Sequence, residues 1–195
     1  MSQQEYFTVQ HGLSVNIEPL DSEFTLPDLE QFVTEIPAPF LVASEFSSLD
    51  TVTEKAIGEL RSSDLSHVVQ LLETQNSKLN LLLTYMLSQQ NDPAFSHTTT
   101  SFGASQFTYF SKSAPQLGQQ VRTKIFLEFP AAAIYCYGEV VECEALTERE
   151  ENEQSHKITI SFSLLREEDQ DLLIKAALHQ QQKLLRQRSL ERDRK

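Results

Sequence analysis

Leu13, Val15 and Ile17 alternate with polar residues, the period of a short strand with one buried face. Pro27, Pro37 and Pro39 then punctuate an acidic segment in which Phe32, Val33, Ile36 and Phe40 are scattered apolar anchors, as expected of a segment draped over a core. Thr51 and Glu54 have the spacing of a capping box and predict a helix of about ten residues. The polar run "RSSDLS" interrupts it, Ser63 or Asp64 caps a second, longer helix, and Pro93 ends that one. Beyond Pro93 the period falls from 3.6 to 2. The aromatic, Thr/Ser-rich stretch from Phe102 to Phe110 reads as one strand, and Val121, Thr123, Ile125, Leu127 and Phe129 alternate in the next. "AAAIYCYGEVVECEAL" and "HKITISFSLL" follow as strands, with the acidic "TEREENEQS" as the hairpin loop between them. Closely spaced strands joined by turns predict an antiparallel barrel or sandwich. "REEDQDLLIKAALHQQQKLLRQRS" closes the chain as a helix with acids first and bases last, the order a helix dipole favours. The predicted fold class is α+β: a small antiparallel β-barrel with an inserted long helix and a C-terminal helix. Three segments are expected: 1–47 packed on the core, 48–92 helical, and 95–195 carrying the barrel, last helix and basic tail.

The inserted helix carries the strongest periodic signal. Leu65, Val68, Leu72, Gln75, Leu79, Leu82 and Met86 recur at alternating separations of three and four, an unbroken heptad seam. A helix over 64–91 would be about 40 Å long, longer than a small barrel can cover. Gln75 is a lone amide in an apolar seam, costly if buried without a partner but able to pair with its own copy across a symmetric bundle. Self-association through this seam is therefore expected. The competing reading packs the helix on its own domain with Gln75 at the solvent margin. Leu71, Leu81 and Leu83 widen the apolar face beyond a strict dimer seam, which favours three or four helices around one axis, or a dimer seam plus docking on the barrel. Leu173, Ala177, Gln180 and Leu184 have matching spacing in the last helix, so it is a candidate to join the same bundle.

Charge narrows the function. The net charge is −12, with eleven acidic residues against Lys55 alone in residues 1–60. An acidic body repels phosphate backbones, so no nucleic-acid partner is expected. The two cysteines, Cys136 and Cys143, lie an odd number apart and are expected on opposite faces of a strand, giving neither disulfide nor metal site. A reducing, cytoplasmic compartment fits that usage. "MSQQEYFTVQ" lacks the basic and apolar regions of a signal peptide, and no run is apolar enough for a membrane span. His11, His67, His97, His156 and His179 show no metal-ligand spacing, and no nucleophile elbow or phosphate-binding glycine loop occurs. No enzyme, cofactor or metal is expected.

The order of elements resembles the PilZ family, bacterial receptors for cyclic di-GMP, over roughly residues 95–180. In that family the barrel opens with Asp/Asn-x-Ser-x-x-Gly. The best superposition places Ser101 at the acid, Gly103 at the serine and Gln106 at the glycine, with Phe107 and Tyr109 on the apolar positions that follow. "EIPAPFLV" together with the heptad helix is similar to an atypical, tetrameric branch whose added helices assemble four barrels. The resemblance implies a homo-tetramer, with a bacterial signalling or pilus protein as a further partner.

The ligand loop departs from the family pattern. A dinucleotide with two phosphates needs cations or backbone N–H donors, and arginine grips phosphate in two places. The family supplies Arg-x-x-x-Arg ahead of the barrel strand, whereas this chain has no Lys or Arg between Lys78 and Lys112. Cyclic di-GMP binding by the usual mode is therefore not expected. A PilZ-like scaffold or adaptor without catalysis, linked to cyclic di-GMP signalling, is the leading expectation. Its alternative is a receptor with a non-standard site, for which Arg122 and Lys124 on one side of a strand are the candidate contacts.

Overall fold

A computed structural model describes residues 8–61, 65–146 and 156–192. Its strands are β1 (Thr8–Gln10), β2 (Ser14–Pro19), β3 (Ser96–Gly103), β4 (Gln106–Ser111), β5 (Gln120–Leu127), β6 (Ala132–Ala145) and β7 (His156–Leu164). They run in the order β3–β2–β5–β6–β7–β4, every pair antiparallel, and β4 returns to β3 to close a six-stranded barrel. β1 pairs with the far half of β3. Three helices, α1 (Leu29–Glu35), α2 (Ala38–Leu60) and α3 (Ser66–Ser88), are inserted between β2 and β3, and α4 (Glu167–Arg192) follows β7.

Alternation builds the barrel interior. Val15 and Ile17, Phe107 and Tyr109, Val121 and Ile125, Ile134 and Cys136, and Ile158 and Ile160 all point into one core. The first half of α4 plugs it with Leu172, Leu173, Ala176 and Ala177. This corrects the expectation for the last helix. Leu173 and Ala177 are fully buried in their own barrel, Gln180 is buried and Leu184 packs against the same core, so that row is not free to enter a bundle.

Local geometry differs from expectation at three further points. The stretch from Phe102 to Phe110 is not one strand but the tight β3–β4 hairpin, turning through Ala104 and Ser105, which carry no glycine signal. Phe129 lies past the end of β5, beside a cis Phe129–Pro130 bond, and its ring stacks on His179 at 4.1 Å. Cys136 and Cys143 both face the core despite their odd separation. The pairing of β6 with β7 shifts between Val140 and Glu142, so Val141 is an extra residue and the later positions change sides. Gly138 allows β7 to come close, since an added Cβ would lie 2.6 Å from Ile160 Cγ2. The loop "TEREENEQS" and the capping positions Ser63 and Asp64 lie outside the described residues.

The outer side of β6 is also buried, which is why Ala132 to Tyr137 read as a continuous apolar run. Ala133, Tyr135 and Tyr137 meet Phe32 and Ile36 at α1, Phe40 and Ala43 of α2, and Leu83 and Leu87 of α3 in a second core. Asp28 caps α1 by accepting from the Gln31 N–H at 2.9 Å, and α1 stops before Pro37. Pro39 then sits in the first turn of α2, where its missing N–H is harmless. The helix predicted to open at Thr51 therefore begins at Ala38 and runs 23 residues, with Thr51 in its interior.

α2 and α3 form a hairpin. Its root is the second core; at its tip Arg61 pairs with Glu73, and Ile57 and Val69 are buried. The chain leaves α3 through a clamp: Asn16 of β2 donates to Asn91 Oδ1 at 2.8 Å and to the Asp92 carbonyl at 2.9 Å, and accepts from the Asp92 N–H.

Candidate functional site

Two candidates follow from the sequence, the helical seam and the β3–β4 loop. Along α3 the row Val69, Glu73, Asn76, Asn80, Leu83 and Leu87 is the most covered, and it faces the rest of the chain. The predicted seam lies beside it and is open. Leu65, Val68, Leu72, Leu79 and Leu82 are 41–65% exposed, Gln75 is exposed, and only Met86 reaches the second core. α2 adds a row that the sequence reading missed: Val42, Phe46, Leu49 and Val52 are exposed, spaced four, three and three apart. That signal was present in the periodicity but masked by reading 38–47 as irregular. At about 1.5 Å per residue the hairpin presents roughly 34 Å of partly apolar surface. Behind α3 a cleft of about 580 Å³ separates Asn76 and Asn80 from Glu128, Phe129 and Lys175.

At the loop, the Ser101 and Thr108 hydroxyls and the turn carbonyls are engaged within the chain. The Ser101 and Thr108 hydroxyls are 2.6 Å apart, and Thr108 also meets the Thr100 hydroxyl at 2.7 Å. Ser101 and Gly103 are buried, with Gly103 paired to Thr8 of β1. Gln106 pairs with Ser161. The Ala104 carbonyl accepts from the Gln170 side chain at 3.2 Å, and the Ser105 carbonyl from the Phe162 N–H at 2.9 Å. Phe102 and Phe107, fully buried, anchor the hairpin from inside.

Arg122 and Lys124 do share one side of β5, the outer side, but both are occupied. Arg122 forks onto the Glu18 carboxylate with contacts of 2.8, 2.6 and 2.7 Å, directly across the β2–β5 pairing. Hydrogen bonding to Glu18 raises the Arg122 pKa further above its ordinary value. Lys124 Nζ lies 3.4 Å from the Gln90 carbonyl, at the exit of α3. Next to them the Tyr135 and Tyr137 hydroxyls are 3.3 Å apart, and Tyr137 donates to Glu35 at the end of α1. Burial, reinforced by Glu35, raises the Tyr137 pKa. This polar wall ties the hairpin root to the sheet. Sequence could not find the Glu18 partner, 104 positions away, because the pair depends on β2 pairing with β5 across the inserted helices.

Other reactive groups are set for structure. Burial pushes up the Cys136 thiol, disfavouring the thiolate, and pushes Tyr109 up to about 12. Among the described residues no cluster of His, Cys, Asp and Glu could hold a metal ion, and no helix is long and apolar enough to cross a membrane.

No family model and no curated protein match the sequence. Among solved structures, the chain is similar to a pathogenic protein of Xanthomonas campestris, a tetrameric PilZ domain self-assembled via an unusual helical bundle. The match covers 93% of this chain and 91% of that one, at 13% identity and a TM-score of 0.54. The inhibitor of motility MotI/DgrA of Bacillus subtilis also matches, at 12% identity and a TM-score of 0.47. That match covers 94% of this chain but 53% of MotI/DgrA, so the chain spans about half the length of that protein. The closed six-stranded barrel, its plugging C-terminal helix and the likeness to the Xanthomonas domain together make this a PilZ-like α+β fold.

Proposed function

We propose that the chain is a non-catalytic PilZ-like scaffold or adaptor in bacterial signalling linked to cyclic di-GMP, assembled with its own copies, as a tetramer, through the α2–α3 hairpin. The observation that carries this reading is the uncovered seam from Leu65 to Leu82 on a helix whose other side already serves its own barrel. Leucines in water at this density are costly, and a second copy offers the matching surface, with Gln75 free to pair across the axis. The Xanthomonas domain, matched over nearly its whole length, is itself assembled through a helical bundle, which supports the same use of the inserted helices here.

The adaptor half of the proposal rests on the loop. Ser101, Gly103 and Gln106 offer no charge to a phosphate, and Arg122 could reach one only by leaving Glu18. Leaving would give up the forked, charge-assisted hydrogen bonds to that carboxylate. Isothermal titration calorimetry with cyclic di-GMP tests this half, and no saturable heat is expected at micromolar protein and ligand. Micromolar or tighter binding would overturn the adaptor and make the chain a receptor with a non-standard site.

A further inference from the structure

α4 carries two rows of opposite use. One, through Leu173, Ala177, Gln180 and Leu184, belongs to the barrel. The other runs through Glu167, Asp171, Ile174, Leu178, Gln181, Leu185 and Arg188, again at alternating separations of four and three, and every member is exposed. Read from either end this second row is complementary to itself. Laid antiparallel on a copy, Asp171 falls opposite Arg188, Ile174 opposite Leu185 and Leu178 opposite Gln181. Two-fold symmetry repeats each layer. Just outside the row, Glu168 falls near Ser189 and Lys175 near Gln182, so no like charges oppose each other.

The acidic end of α4 also borders a groove. A hollow of about 400 Å³ separates it from α2, with Leu41 and Leu172 on its walls; the carboxylates Glu45, Glu168 and Asp171 line it together with Lys175 and with Arg166, whose charge is taken up by Asp169, so the acids prevail. The basic end, with Lys183, Arg186 and Arg188, is exposed beyond the barrel. In the antiparallel arrangement the basic end of one α4 arrives beside the acidic groove of the other.

We infer that α4 is a second self-association surface, pairing antiparallel with α4 of another copy so that each basic end lies along the other's acidic groove. The contact is isologous, as a two-fold axis requires, and uses no residue of the hairpin seam. Its charged layers fix orientation, because a parallel pairing would place Asp171 against Asp171 and Arg188 against Arg188.

Charge exchange in a chain whose hairpin seam is disabled tests the inference. The Leu72→Asp/Leu79→Asp protein should sediment as a reversible dimer. Adding Asp171→Arg sets arginine against Arg188 twice and should weaken the dimer about a hundredfold or more. Adding Arg188→Asp as well restores opposite charges and should recover most of the lost affinity. In the otherwise unaltered chain, Ile174→Cys with Leu185→Cys should give an oxidised, reducible dimer that the wild-type cysteines do not. A seam-disabled protein that is monomeric at every concentration, an exchange that fails to restore affinity, or no cross-link at 174 and 185 would overturn α4 pairing. If the Leu72→Asp/Leu79→Asp protein keeps the wild-type mass, the hairpin reading fails instead, and the effect of Asp171→Arg still decides the α4 contact.

Discussion

Arg166 and Asp169 stand where β7 hands over to α4, and their side chains are 14% and 1% exposed. The guanidinium grips both carboxylate oxygens, at 2.8 and 2.7 Å. Burial pushes the Asp169 carboxyl up from its ordinary pKa, and the guanidinium opposes that shift. Removing one member leaves the other buried and unpaired. Asp169→Asn should therefore cost about 3–5 kcal/mol of stability, read from the urea midpoint. A loss below about 1 kcal/mol would mean that water reaches Arg166 freely. The spacing of this pair was visible in the sequence as an i, i+3 match, but its burial was not, since that depends on α4 plugging the barrel. Cys143 illustrates the same limit. Alternation alone put it opposite Cys136, and one inserted residue at Val141 reversed the result.

At the scale of elements, α3 offers an internal control. Leu83 and Leu72 are leucines on one helix, the first 5% exposed against β6 and the second 41% exposed on the open seam. Leu83→Ala should cost about 2–5 kcal/mol at any protein concentration, because it empties part of the second core. Leu72→Ala should change the stability of the isolated chain by about 0.5 kcal/mol or less, and lower the melting temperature only where the wild-type protein is assembled. Equal losses for both, independent of concentration, would place Leu72 in a core of its own chain. The spacing of the apolar row on α3 was legible, but which row the rest of the chain covers was not: the structure buries Val69, Leu83 and Leu87 beside it. The start of α2 was not legible either. Thr51 and Glu54 have the form of a cap, but Pro37 and Pro39 begin the helix thirteen residues earlier, and two prolines read more naturally as a break. The β3–β4 turn was hidden for the opposite reason: Ala104-Ser105 is not one of the Asn-Gly, Asp-Gly or Gly-X pairs that mark a two-residue hairpin, so the hairpin looked like one strand.

The whole molecule divides into a closed barrel, most of whose apolar residues are buried, and helices that bury one face and leave apolar rows exposed on another. Barrel closure leaves few free strand edges, so the surfaces proposed for contact with other copies are the α2–α3 hairpin and the outer row of α4. The two surfaces differ in kind. The hairpin seam is apolar with one amide, so association through it should respond weakly to salt, whereas the α4 row includes Glu167, Asp171 and Arg188 and pairing through it should weaken as salt rises. The overall charge of −12 opposes any assembly, which makes an apolar seam the stronger candidate to hold copies together. The most direct test is the mass in solution by multi-angle light scattering, comparing the wild-type chain with Leu72→Asp/Leu79→Asp. Wild type should scatter as an assembly of 22.2 kDa chains, four per particle, and the variant as smaller species that remain folded. A wild-type mass of one chain, or a variant of unchanged mass, would contradict assembly through the hairpin.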